Sequence, residues 1–183
     1  MSLRKSIRKL FFSGAALLLL LGLHPEASAQ EVARQEVPRD SLLVVARAII
    51  DSTPYCMVAT LDEEGGPRVR PMEPFPPDTD MTIWLGTTRY SRKVEDIKRN
   101  PTVALSYLAP GGTGYVSVYG TAELVDEQAA KEKWWKPEWS GFYANKDDMY
   151  LVIKVTPVRI ELIDYRFGIT GDDKTYAPMV IRF

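Results

Sequence analysis

Eleven consecutive residues, Tyr115 to Val125, constrain this chain more than any other stretch. Val116, Val118, Ala122 and Leu124 point one way; Tyr115, Ser117, Tyr119, Thr121 and Glu123 point the other. A period of two is a strand with one face in a core and one outside it. Hairpin-like loops, Pro110 to Gly114 among them, join most of the strands, which fits antiparallel pairing. The neighbouring runs read the same way. Tyr55–Leu61 is a buried strand, and Asp62 to Pro67 is turn material made of solvated charge and glycine. Arg68–Phe75 returns as a strand that Pro71 and Pro74 confine to an edge or a bulge. Met81–Leu85, Thr102–Ala109, Met149–Thr156 and Val158–Tyr165 are further strands, and Met179–Phe183 is a weak one. Helices are expected after Asp40, which can cap the first, after Ser91, which can cap the second, and from Asp126 to about Trp135. The chain does not alternate βαβα, so a doubly wound parallel sheet is excluded. The expected fold is mainly β: an antiparallel barrel of at least six short strands with peripheral helices.

The first 29 residues read as an export signal rather than as part of the fold. Arg4, Lys5, Arg8 and Lys9 precede an apolar run from Leu10 to Leu23, and Ala27-Ser28-Ala29 has the form of a cleavage site. The run is shorter than the roughly 20 residues that span a bilayer. Cleavage would release a periplasmic or secreted chain beginning at Gln30. The organisation is then a signal over 1–29, a linker over 30–39, one domain over 40–167 and a C-terminal extension over 168–183. Removing four cations and Glu26 leaves 19 basic and 23 acidic residues, a net charge of −4. No cationic face suggests nucleic acid, and no membrane contact is expected after cleavage.

The single histidine, His24, lies inside that signal. The remainder therefore has no Ser-His-Asp or Cys-His nucleophile system and no histidine to bind zinc or haem. One cysteine, Cys56, excludes an internal disulfide, and its apolar strand makes it a structural thiol. Redox chemistry would need a borrowed cofactor.

Three clusters stand out. Gly86-Thr87-Thr88-Arg89-Tyr90-Ser91-Arg92-Lys93 joins a strand end to a helix start. Cations are unfavourable in a helix's first turn unless an anion sits there, and free N–H groups favour one. A solvated basic turn is the alternative. Arg68 and Arg70 share one face of their strand and could meet a phosphate or an electron-rich ring; a surface pair screened by Glu63, Glu64 or Glu73 is the alternative. Trp134, Trp135, Trp139, Phe142 and Tyr143 could cover a planar ligand, fill a dimer interface or pack into the core.

In order and spacing these segments resemble the pyridoxamine 5'-phosphate oxidase-like FMN-binding split barrels, and most of all their general stress protein branch. The resemblance rests on Ala59-Thr60-Leu61, Arg68-Val69-Arg70-Pro71-Met72, Ile83 to Thr87 running into Ser91-Arg92-Lys93-Val94, Asn100 to Ser106, Tyr115 to Val125 and Trp135-Lys136-Pro137. It covers roughly residues 40–165. It implies a six-stranded split barrel that dimerises, with FMN at the subunit interface. Arg68, Val69, Arg70, Pro71 and Met72 would run along the flavin ring. Gly86 and Thr87 would touch the cofactor, and Ser91, Arg92 and Lys93 would hold its phosphate. Arg99, at the far end of the same helix, would contribute nothing. Tyr115 falls where the oxidases carry a flavin-contacting glutamine, and Trp139 would cap the site.

The chain departs from the oxidases in three places. Glu73 replaces the lysine that holds the vitamin phosphate, the C-terminal Arg-x-His motif is absent, and Ile163 replaces a flavin-flanking tryptophan. The implied function is an exported FMN-dependent oxidoreductase on an unidentified small molecule, without the vitamin B6 substrate site and with no residue identifiable as general acid or base. The rival functions are a flavin-binding or sensing module without turnover, and a barrel that uses deazaflavin or haem.

Overall fold

The computed structural model describes residues 37–183. The export segment and most of the linker lie outside the described residues. Seven strands form one antiparallel sheet: β1 Cys56–Leu61, β2 Pro67–Met72, β3 Ile83–Thr88, β4 Thr102–Leu108, β5 Gly114–Val125, β6 Tyr150–Asp164 and β7 Met179–Arg182. The hydrogen-bonded order is β2-β1-β4-β5-β6-β3, with β7 beside β6. Just beyond β2, Pro74 bridges Leu85 of β3, and Phe75 N–H donates to the Trp84 carbonyl at 2.9 Å. That short contact brings the two ends of the sheet together.

β6 is one strand of 15 residues, not the two expected on either side of Pro157. Tyr119 pairs with Arg159 and Gly120 with Pro157, which leaves Val158 as the extra residue of a bulge. A proline is tolerated where the ladder is interrupted. Opposite β5, the first part of β6 pairs with β3 and the last part with β7.

Helix α1 spans Arg39–Asp51, α2 Arg92–Arg99, α3 Gln128–Lys133 and α4 Lys146–Met149. Two expected caps are replaced by other arrangements. Pro38 holds the N-cap position of α1, with Asp40 inside the first turn, where its charge suits the helix dipole. Ser91 is the N-cap residue of α2, yet its hydroxyl meets Thr87 Oγ1 at 3.1 Å instead of a backbone N–H. The Asp62 turn also differs from solvated charge. Asp62 Oδ1 accepts from Gly66 N–H at 2.7 Å and Glu64 N–H at 3.0 Å. Those bonds, the Gly66 one foremost, hold its carboxyl below the usual range. Gly65 supplies the positive φ of 81° that the turn requires.

The main core joins α1 residues Leu42, Ala46 and Ile49 to Val58, Leu85, Leu105, Val116, Val118 and Ile160 from the strands. Ile169 and Ile181, beyond the last β6 residue, are buried in the same core. Cys56 is buried there and pushed up to about 11, chiefly by desolvation. Maleimide should therefore label Cys56 only when the protein unfolds. Its proton linkage has a definite sign. The unfolded thiol ionises above its ordinary value of 9.0 while the folded thiol stays neutral to about 11. This contribution to stability is complete below pH 9 and falls as pH rises through that window, by at most about 1.4 kcal/mol per pH unit. Denaturant titrations at pH 8.5 and 10.5 of the wild type and Cys56→Ala would read the difference.

Candidate functional site

A buried carboxylate that reads as ordinary in the sequence organises the polar end of the barrel. Asp96 is fully buried on the inner face of α2. Its Oδ2 accepts from Thr60 Oγ1 at 2.8 Å, and its Oδ1 accepts from Arg68 at 3.0 Å and from Arg99 at 3.0 Å. Arg70 donates to Thr60 Oγ1 at 2.7 Å and lies 3.8 Å from Asp96 Oδ2. Arg68 and Arg70 do share a face, as the strand period requires, but Asp96 is their counter-ion rather than Glu63, Glu64 or Glu73. Arg99 belongs to the same network and is not an inert end of the helix.

The loop from β3 to α2 completes the cluster. Lys93 Nζ donates to Thr87 Oγ1 at 3.2 Å, and Thr87 meets Ser91. Burial and the nearby Arg70 hold the Lys93 ammonium below its ordinary value. Burial lowers Arg70 as well, Asp96 opposes that shift, and Arg92 and Arg68 add to it. Arg92 and Lys93 have no carboxylate partner among the described residues, although Arg68 and Arg70 do. The result is a cluster of cations at the start of α2 that also contains the hydroxyls of Thr87 and Ser91.

Other expected site residues stand elsewhere. Val69 and Pro71 project from the opposite face of β2, and Tyr115 lies on the same outer face of the sheet, beside Leu108. Met72 is buried in the core. Gly86 turns toward Trp139 and Tyr150, where an added Cβ would lie 2.8 Å from the Tyr150 ring. Glycine at this position therefore has a packing reason.

Of the aromatic stretch, Trp134, Trp135, Trp139 and Tyr143 pack within their own chain, while Phe142 is 78% exposed. Trp134 stacks on Trp84 at 5.0 Å and meets Phe75 at 5.2 Å; Trp135 packs edge-on against Tyr150 at 5.1 Å. Trp139 is buried, and its Nε1 donates to Glu73 Oε2 at 3.2 Å. Lys136 pairs with Glu73 Oε1 at 2.7 Å, so Glu73 does not present a bare negative charge. The pairing lay outside the reach of the sequence, since 63 residues separate the partners.

An antiparallel sheet whose two ends meet where Pro74 bridges Leu85 has the architecture of a split barrel. Residues 45–164 match the family model described as pyridoxamine 5'-phosphate oxidase, and the chain belongs to that family. General stress protein 26 of Bacillus subtilis (strain 168) is 32% identical over 120 residues, covering 63% of this chain and 84% of that protein. The crystal structure of general stress protein 26 from Bacillus anthracis str. Sterne superposes with a TM-score of 0.63 at 24% identity, over 78% of this chain and 98% of that one. A heme binding protein from Mycobacterium smegmatis shares the fold at a TM-score of 0.57 and 18% identity, over 75% and 56% of the two chains. An F420 reductase does so at 0.52 and 24%, over 62% and 94%.

Proposed function

We propose that this protein binds FMN and acts as an exported flavin-dependent oxidoreductase on a small molecule. The observation that carries the reading is the pair Arg92 and Lys93, which lack a carboxylate partner among the described residues and stand at the start of α2 beside Thr87 and Ser91. A phosphate dianion would supply the missing counter-charge, and Arg70 would add a third cation at the rim. Bound there, the flavin would supply hydride transfer through its N5. The protein's part is to fix the phosphate with charge-assisted hydrogen bonds and to hold the ring beside β2. Family membership supports a flavin-type ligand.

The names of two neighbours raise haem and F420 as other ligands. Haem fits poorly, because the described residues contain no histidine. Mass spectrometry of the ligand released from purified protein decides between FMN and a deazaflavin, and recovery of neither would overturn the reading. With FMN bound, reductant turnover separates an oxidoreductase from a module that only holds flavin. Pyridoxamine phosphate and pyridoxine phosphate should not be oxidised, because the Arg-x-His motif is missing and Glu73 stands in place of a lysine. Hydrogen peroxide release from either would count against this.

A homodimer belongs to the same reading. Its support is the outer face of β1, β2 and β4, where Met57, Val69 and Leu108 are 44%, 58% and 66% exposed. Exposed apolar patches of this kind mark interfaces. Val69→Lys should shift the light-scattering mass from two chains to one. A monomeric wild type with full FMN occupancy would refute the dimer. Export is proposed from residues 1–29 alone, and N-terminal sequencing of the mature protein should begin at Gln30.

A further inference from the structure

A second site, on the other side of β3 from the Arg92 and Lys93 cluster, already holds a cation of its own. Lys136 Nζ lies 5.0 Å from the centroid of the Phe75 ring, 5.3 Å from that of Trp139 and 2.7 Å from Glu73 Oε1. Two aromatic faces and one carboxylate around an ammonium are the arrangement by which proteins recognise organic cations. The box is built independently of its occupant. Phe75 packs on Trp134 at 5.2 Å and on Trp139 at 5.6 Å, and the Trp139 indole N–H fixes the other Glu73 oxygen at 3.2 Å. The rings therefore need not move if the lysine leaves.

Room for a ligand lies alongside. A cavity of about 410 Å³ opens onto Glu73, Phe75 and Lys136, and its far wall is the end of α1 with Ile50, Asp51 and Thr53. That wall suits a positive guest, because Asp51 brings a carboxylate to it. The lysine is held only through a flexible four-carbon stem, so it can withdraw without rearranging the backbone.

We propose that Glu73, Phe75 and Trp139 form a receptor for a small alkylammonium ion, and that Lys136 is a tethered stopper which such a ligand displaces. The competing account is that Lys136 only ties the segment after α3 to the strand leaving β2. The two differ in what happens when the lysine is shortened. A stopper leaves a usable box behind; a tie leaves a loosened segment.

The test uses the full protein and tetramethylammonium chloride, read by tryptophan fluorescence against sodium chloride at equal ionic strength. Lys136→Ala and Lys136→Met should bind tetramethylammonium at least tenfold more tightly than the wild type. Adding Glu73→Gln to either variant should abolish the gain. Equal responses in variants and wild type, or a gain that survives Glu73→Gln, would overturn the proposal. So would loss of near-ultraviolet circular dichroism in both lysine variants, since that is the behaviour of a tie. The result does not depend on the flavin reading: FMN titration of the same variants reports on that separately, and either can fail alone.

Discussion

Replacing Asp96 with alanine should lower the melting temperature by roughly 6–12 °C, corresponding to about 3 kcal/mol in a domain of this size. The cause is asymmetry between making and breaking a buried pair. In the native protein Arg68, Arg99 and Thr60 all donate to one fully buried carboxylate. Without it, three donors and their positive charge remain where water reaches them poorly. Arg68 and Arg99 keep 31% and 42% side-chain exposure and can turn partly outward, which keeps the effect at the low end for a broken buried pair. Asp96→Asn retains shape and one acceptor and should cost less. FMN should return part of the loss, because its phosphate would supply negative charge to the same arginine group, so the melting shift on adding FMN should be larger in Asp96→Ala than in the wild type. A melting temperature unchanged by Asp96→Ala, measured by circular dichroism, would show that the arginines find other partners.

Arg92→Ala should weaken FMN binding ten- to a hundredfold, the range set by losing one charge-assisted hydrogen bond of roughly 1.5–3 kcal/mol. Lys93→Ala should fall in the same range, and the double variant should exceed either. Riboflavin, which has no phosphate, should be affected much less. The appropriate control is Lys98, which pairs with Glu95 at the surface at 2.8 Å. Arg99 is unsuitable, since it also holds Asp96. Fluorescence titration of both ligands reads the contrast. If Arg92→Ala and Lys93→Ala both keep wild-type affinity for FMN, the turn is a solvated basic loop and the phosphate lies elsewhere.

The fold was legible where a residue's role is set by its immediate neighbours. Alternation from Tyr115 to Val125 predicts β5, and the break at Asn100-Pro101 predicts the end of α2. The pairing of Arg68 and Arg70 on one face also follows from spacing alone. The misreadings arise where a distant partner decides. Pro157 looks like a strand end because a proline cannot donate, yet the bulge opposite Gly120 leaves that donor unneeded. Asp96 looks like a helix-dipole residue, yet its partners Arg68 and Thr60 lie 28 and 36 residues away. The aromatic stretch leaves three roles open in the sequence, and for Trp134 and Trp135 the choice falls to Phe75, Trp84 and Tyr150, which pack on them once β3 and β6 are paired. No helical spacing marks Asp96 as buried: it stands one position from Ile97 and two from Val94, off their step, and its burial follows from Thr60 and Arg68 closing over it.

β2 carries two incompatible surfaces on alternate residues, Arg68 and Arg70 toward α2, Val69 and Pro71 toward the outside. Insertions and deletions in the Asp62–Gly66 turn are therefore not equivalent. A change that slides β2 by one position against β1 would bring the apolar pair into the polar cluster and set two guanidinium groups on the oily face, disabling both surfaces in one event. A slide of two positions would keep every side chain on its own side and only displace the arginines along the strand. A turn of altered length should therefore be tolerated only where it keeps Ala59 opposite Val69 and Thr60 opposite Arg68.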